Sequence, residues 1–185
     1  INKVRAHIPA GITLVCVSKF QPIQAIQEAY NAGERHFGES RVQELKQKIR
    51  QLPTDIQWHF IGHLQTNKVR DLLKLKPYII ESVDSERLLH AINTEAEKLG
   101  IIQNILLEVH VAREETKSGF TPNELIALLS TDLCASLPNI RICGLMSMAT
   151  NTEDETEIRR CFSTAASLTS NIRHLNSIFS LLIAM

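Results

Sequence analysis

The sequence carries no excess of charge of either sign: 20 Lys and Arg stand against 20 Asp and Glu in 185 residues. Such a balance supplies no global field to gather nucleic acid or an anionic membrane surface. Long apolar runs are also missing. Every hydrophobic stretch falls far short of the roughly 18 residues needed to span a bilayer, and no secretory signal opens the chain. The four cysteines, Cys16, Cys134, Cys143 and Cys161, form no Cys-x-x-Cys pair. They read as reduced, packed thiols of a cytoplasmic protein rather than a disulfide framework. Tyrosine is limited to Tyr30 and Tyr78, which leaves few phenols to serve as a base. Because Ile1 rather than Met comes first, the natural N-terminus is expected to be absent. The length suits one domain over residues 1–185 with its own core.

What is present is a regular alternation of strands and helices. Ile12 to Val17 reads as a buried strand, and Pro22 opens a helix that carries Ile23, Ile26 and Tyr30 on one side until Gly33. Strand starts recur near 12, 35, 57, 77, 104, 140 and 179, each after a helix. Asp84 is expected to cap one helix. Capping boxes are expected at Thr121/Glu124, with Pro122 at the first helical position, and at Thr152/Glu155. Short loops between so many βα units predict a (β/α)8 TIM barrel in a single domain rather than an open sheet. Seven strands would leave two unpaired edges, so the last strand and helix are expected to be missing from this sequence.

In a barrel of this kind function gathers on the loops after the strands. Lys19 follows the first strand and shares a face with Val15 and Val17 by the two-residue period. An ammonium on the face of a core strand would be desolvated, freeing the amine to attack an aldehyde. The alternative is a strand-end lysine whose head reaches solvent. Other strand ends carry Gly38-Glu39-Ser40-Arg41, His59-Phe60-Ile61-Gly62-His63, Glu81-Ser82, His110 and Gly144-Leu145-Met146-Ser147-Met148. A planar aldehyde cofactor needs an amine, small residues that admit a ring, and hydroxyl or backbone donors, and pyridoxal 5′-phosphate (PLP) meets this description.

Each residue also has a plainer use. His59 and His63 stand four apart, but Gly62 spoils the helical face that metal ligation requires, so a packed histidine is the simpler reading. Gly38 and Gly62 suit strand-to-helix turns, Ser40 a helix cap, Met146 and Met148 core filling. Lys117, in a charged loop with Glu114 and Glu115, suits a solvated surface.

Taken together, the motifs resemble those of the pyridoxal phosphate homeostasis proteins. The likeness rests on Val17-Ser18-Lys19 with Pro22, Phe37-Gly38-Glu39-Ser40-Arg41-Val42-Gln43-Glu44, the run from Trp58 to Lys68, Glu115-Thr116-Lys117-Ser118-Gly119-Phe120, and Gly144 to Met148. It spans nearly the whole chain. The resemblance implies a barrel like the N-terminal domain of alanine racemase, with PLP held as a Schiff base on Lys19. It implies positions beside the cofactor for Ser40, where the family more often has asparagine, and for His59, Gly62 and Met146. It further implies that Lys117 serves in handing PLP on or in a second site. The family's phosphate cup and ring-facing arginine follow the point where this sequence ends. The expected role is intracellular vitamin B6 homeostasis by a monomer that passes PLP to PLP-requiring apoenzymes. A PLP-dependent racemase-like enzyme is the alternative, and an aldolase-type barrel without PLP is a third reading.

Overall fold

The computed structural model describes residues 2–113, 118–172 and 181–184. Seven strands are found: β1 Cys16–Val17, β2 His36–Glu39, β3 Gln57–Phe60, β4 Ile79–Val83, β5 Gln103–Glu108, β6 Ile140–Ser147 and β7 Leu181–Ala184. They pair in sequential order and every pairing is parallel. The helices are α1 Asn2–Arg5, α2 Ile23–Asn31, α3 Val42–Ile49, α4 Val69–Leu73, α5 Glu86–Leu99, α6 Pro122–Leu129, α7 Leu133–Ser136 and α8 Glu155–Ile172. None of the described helices is long and apolar enough to cross a membrane.

Sequential order dictates the shape. Right-handed crossovers between neighbouring parallel strands put every helix on the same face of the sheet, so the other face must be covered by the sheet curling on itself. Two separate cores result. Phe37, Trp58, Phe60, Ile80, Ile105, Leu107 and Leu145 pack outward against Leu45, Leu72, Leu89, Ile92 and Cys161 of the helices. Ile79, Leu106 and Met146 form a smaller inner cluster, flanked by Cys143 and Met148. Among the described residues β1 and β7 are the two edges and do not pair with each other, the open-edged arrangement that seven strands predict.

Several boundaries differ from expectation. β1 is only two residues long rather than six, because pairing with β2 starts at Cys16↔Phe37. The Thr121/Glu124 capping box is present with Pro122 at the helix start. The residue capping α5 is Ser85 rather than Asp84. At α8 Thr152 accepts from the Asp154 amide and Asp154 accepts from the Thr156 amide, at 3.1 and 2.9 Å, so Asp154 serves the first turn in place of a Thr152/Glu155 box.

Candidate functional site

The C-terminal ends of β1 to β4 bring four of the strand-end positions into one row. Cys16↔Phe37 and Val17↔Gly38 set the register, and the Ser18 amide continues it by donating to the Gly38 carbonyl at 2.9 Å. Lys19 therefore stands level with Ser40. A Cβ on Gly62 would lie 2.3 Å from the Ser40 carbonyl oxygen and 2.6 Å from Ser40 Cα, so Gly62 lies directly against Ser40 and only glycine admits that approach. Ser82 Oγ donates to the Gly62 carbonyl, tying the fourth strand end to the third. On the inward side a Cβ on Gly38 would sit 3.0 Å from Ile61 Cδ1 and 3.4 Å from Val15 Cγ1. Val15 and Ile61 thus meet over Gly38 and give the mouth an apolar wall.

Lys19 occupies a turn in which the Gln21 amide donates to the Ser18 carbonyl at 3.0 Å. Ser18 is buried on the helix side and Val15 lies on the inward side, while Lys19 itself stands in the turn after β1. Its desolvation does not follow: Lys19 is exposed. Among the described residues β1 pairs only with β2, and Val17, also expected to be covered, is 47% exposed. The amine makes no hydrogen bond or ion pair with the described residues.

His59 lies beneath this row, paired with Gly38. His59 is buried, with Nε2 3.0 Å from His36 Nδ1 and Nδ1 against Glu81 Oε1. Both ring nitrogens are engaged by protein partners, as in the packed, hydrogen-bonded reading. Burial first, and then the charge of His59, push the His36 imidazole below its usual value. Glu81 Oε2 is buried without a hydrogen-bond partner. Met146 is fully buried in the inner cluster with Ile79 and Leu106. His63 is exposed and pairs with Asp84 at 3.1 Å. Among the described residues no His, Cys, Asp and Glu cluster could hold a metal. Lys117 lies outside the described residues.

Ser40 does not cap α3. The N-cap is Arg41, with no side-chain hydrogen bond, and this leaves the Ser40 hydroxyl uncommitted to the helix.

Two groups of carboxylates were not anticipated. Glu108, at the end of β5, is buried and accepts from Ser118 Oγ at 2.9 Å. Burial pushes its carboxyl above the usual range, more than the Ser118 hydrogen bond lowers it. Glu39 and Glu44 converge on Lys48 of α3 behind the Lys19 turn. The sequence does carry a sign of this: Lys48 falls between Leu45 and Ile49, and it is buried together with Leu45 on one face of α3.

The family profile described as alanine racemase, N-terminal domain, matches residues 1–182. The pyridoxal phosphate homeostasis protein of Helicobacter pylori (strain ATCC 700392 / 26695) is 40% identical over 171 residues, covering 92% of this chain and 75% of the relative. That of Schizosaccharomyces pombe is 39% identical over 142 residues, covering 75% of this chain and 58% of the relative. Among solved structures, PipY of Synechococcus elongatus PCC7942 without PLP superposes with a TM-score of 0.90 at 34% identity, over 98% of this chain and 85% of that one. PipY with PLP bound gives 0.85 at 33% identity, over 98% and 84%. An alanine racemase from Clostridium difficile 630 shares the fold at 15% identity, with a TM-score of 0.78 over 99% of this chain and 48% of its own. The chain belongs to the pyridoxal phosphate homeostasis protein family, on the fold of the alanine racemase N-terminal domain.

Proposed function

We propose that this chain is a single PLP-binding domain that holds the cofactor on the Lys19 amine and serves PLP homeostasis as a holder rather than a catalyst. The observation that carries the reading is the placement of Lys19. Lys19 stands in the turn after β1, unpaired among the described residues, level with Ser40 and next to the Ser40–Gly62 contact. PLP supplies an aldehyde, which condenses reversibly with a primary amine and releases water.

The residues present fit that group. An unpaired lysine is available as nucleophile, and Val15 and Ile61 provide an apolar wall for a planar ring. The Ser40 hydroxyl, free of helix capping, can orient a polar substituent. Gly62 keeps the β2 and β3 ends close enough for Ser40 to stand beside Lys19. In this reading PLP passes from a monomer to PLP-requiring apoenzymes in the cytoplasm, where free thiols such as Cys16, Cys143 and Cys161 stay reduced.

A racemase in this fold would need a second base. Tyr30 Oη donates to the Asp55 carboxylate at 2.8 Å on an exposed face. Tyr78 stands just before β4 and packs on His36 and His59, with ring centroids 5.9 and 5.4 Å away, at the end of the strands opposite Lys19. Neither phenol is near the Lys19 turn, and this supports a holder.

Titration with PLP, followed by visible absorbance, tests the proposal. An imine band is expected for the wild type and none for Lys19→Ala. An undiminished band in Lys19→Ala, or robust amino-acid racemisation at high protein concentration, would overturn it.

A further inference from the structure

Lys48 is an expensive residue for a helix to bury. It is 4% exposed, and an ammonium taken out of water is tolerated only where acceptors surround it. Its Nζ lies 2.7 Å from Glu39 Oε1, 2.6 Å from Glu44 Oε1 and 2.7 Å from the carbonyl oxygen of Ser18. Ser18 is held again through its hydroxyl, which donates to Glu39 Oε1 at 2.5 Å. On the other side of Lys19, the Phe20 amide donates to Glu44 Oε1 at 2.7 Å. The residues before and after Lys19 are therefore both anchored to one buried cluster.

That cluster holds a backbone that would otherwise relax. Phe20 has φ of 63°, a left-handed conformation that bulky residues rarely adopt without support. Packing supplies little support, because Phe20 is 68% exposed, with the Arg41 guanidinium 5.1 Å from its ring centroid. Burial alone would raise the Glu44 carboxyl. The hydrogen bonds from Lys48 and from the Phe20 amide, with the charges of Lys48 and Arg41, outweigh burial and hold Glu44 below the usual carboxylate range. The anchor is therefore charged at neutral pH. A hydrophobic side chain in place of a buried ion pair is often as stable or more so, which makes conformational specificity the better explanation of this cluster.

We infer that Glu39, Glu44 and Lys48 are positioning residues: they clamp the Ser18–Phe20 turn so that the Lys19 amine is held where an aldehyde at the mouth of the sheet can reach it. The inference rests on the reading of Lys19 as the PLP-binding amine. It adds that amine geometry, rather than amine burial, makes this lysine more reactive than the other surface lysines, since pre-orientation lowers the entropic cost of condensation.

The test compares PLP with pyridoxine 5′-phosphate, which keeps the ring and phosphate but carries an alcohol in place of the aldehyde. Both are titrated against the wild type, Glu44→Ala and Glu44→Gln. Glu44→Ala keeps the Lys48–Glu39 pair, and thermal unfolding checks that it folds. Losing one charged hydrogen bond to the turn should weaken PLP about tenfold in Glu44→Ala and leave pyridoxine 5′-phosphate within about twofold of wild type. Glu44→Gln, whose amide oxygen can still accept from Phe20, should recover most of the PLP affinity. Equal weakening of both ligands would make the cluster merely structural and overturn the inference, as would unchanged PLP affinity in Glu44→Ala. Lys19→Ala separates the two levels. If it keeps the imine band, the reading of Lys19 fails; if it loses the band while Glu44→Ala binds PLP normally, only the clamp fails.

Discussion

Gly62→Ala perturbs a close backbone contact between the second and third strand ends. The added methyl would lie 2.3 Å from the Ser40 carbonyl oxygen, 2.6 Å from Ser40 Cα and 2.8 Å from Ser40 C. Carbon–oxygen contacts are ordinarily no closer than roughly 3.3 Å, so the two segments must part by about 1 Å. The obstacle is backbone, which cannot rotate aside as a side chain would. A shift of that size would break the neighbouring hydrogen bond from the Ile61 amide to the Glu39 carbonyl, now 2.9 Å. Overpacking costs about 1–3 kcal/mol and the lost ladder bond about 1 kcal/mol. A total of roughly 2–4 kcal/mol lowers the unfolding midpoint by roughly 4–16 °C for a chain of this size. Gly38→Ala is the control. Its methyl would meet the flexible end of Ile61 at 3.0 Å, so its cost should stay near or below about 1 kcal/mol. Thermal unfolding by circular dichroism reads both, and PLP titration of Gly62→Ala should show weaker binding because Ser40 moves away from the Lys19 turn. If Gly62→Ala melts with the wild type, or no lower than Gly38→Ala, the reasoning is wrong.

Three further outcomes follow from buried charge. Lys48→Met strands the Glu39 carboxylate, which is fully buried, and should cost roughly 3–5 kcal/mol in urea unfolding; a variant as stable as wild type would show that Glu39 is not charged there. Burial holds the Glu108 carboxyl above its usual range, with Asp84 adding to the rise and Ser118 opposing it. A raised acid costs stability as pH climbs past its unfolded value, so Glu108→Gln should raise the melting temperature at pH 7 and lose that advantage in acid; an advantage that persists unchanged in acid would contradict this. The Arg160 guanidinium beside Glu157, helped by Thr150 and Arg113, outweighs burial and holds that carboxyl down from 4.5 to about 2. Its stabilisation is complete above its unfolded value and is lost as pH falls towards about 2, so Glu157→Gln should flatten the acid limb of the stability–pH curve in that window. An unchanged acid limb would refute the assignment.

Strand and helix alternation was legible because apolar periodicity is a local property, and the Thr121–Glu124 box could be read from four adjacent residues. Parallel order followed from alternation. The environment of Lys19 was not legible. A run such as Ile12 to Val17 looks buried on both faces, but whether a strand has a neighbour on each side depends on the whole sheet. Among the described residues β1 pairs only with β2, and Lys19 and Val17 are exposed. His59 was read as a possible cofactor neighbour; its two nitrogens are taken by His36 and Glu81, partners from other strands. The Glu39–Lys48–Glu44 cluster was hidden for a related reason. Its members lie on β2 and α3, and only folding brings them to Ser18 and Phe20. A lysine between Leu45 and Ile49 was the signal available, and it pointed to a buried partner without naming one.

The account depends on a single amine, so the most direct measurement identifies the modified atom. The protein is mixed with PLP, reduced with borohydride, digested and mapped by mass spectrometry. The account predicts that the pyridoxyl adduct concentrates on Lys19, well above exposed lysines such as Lys46. An adduct spread evenly over surface lysines, or concentrated on another lysine, would contradict it.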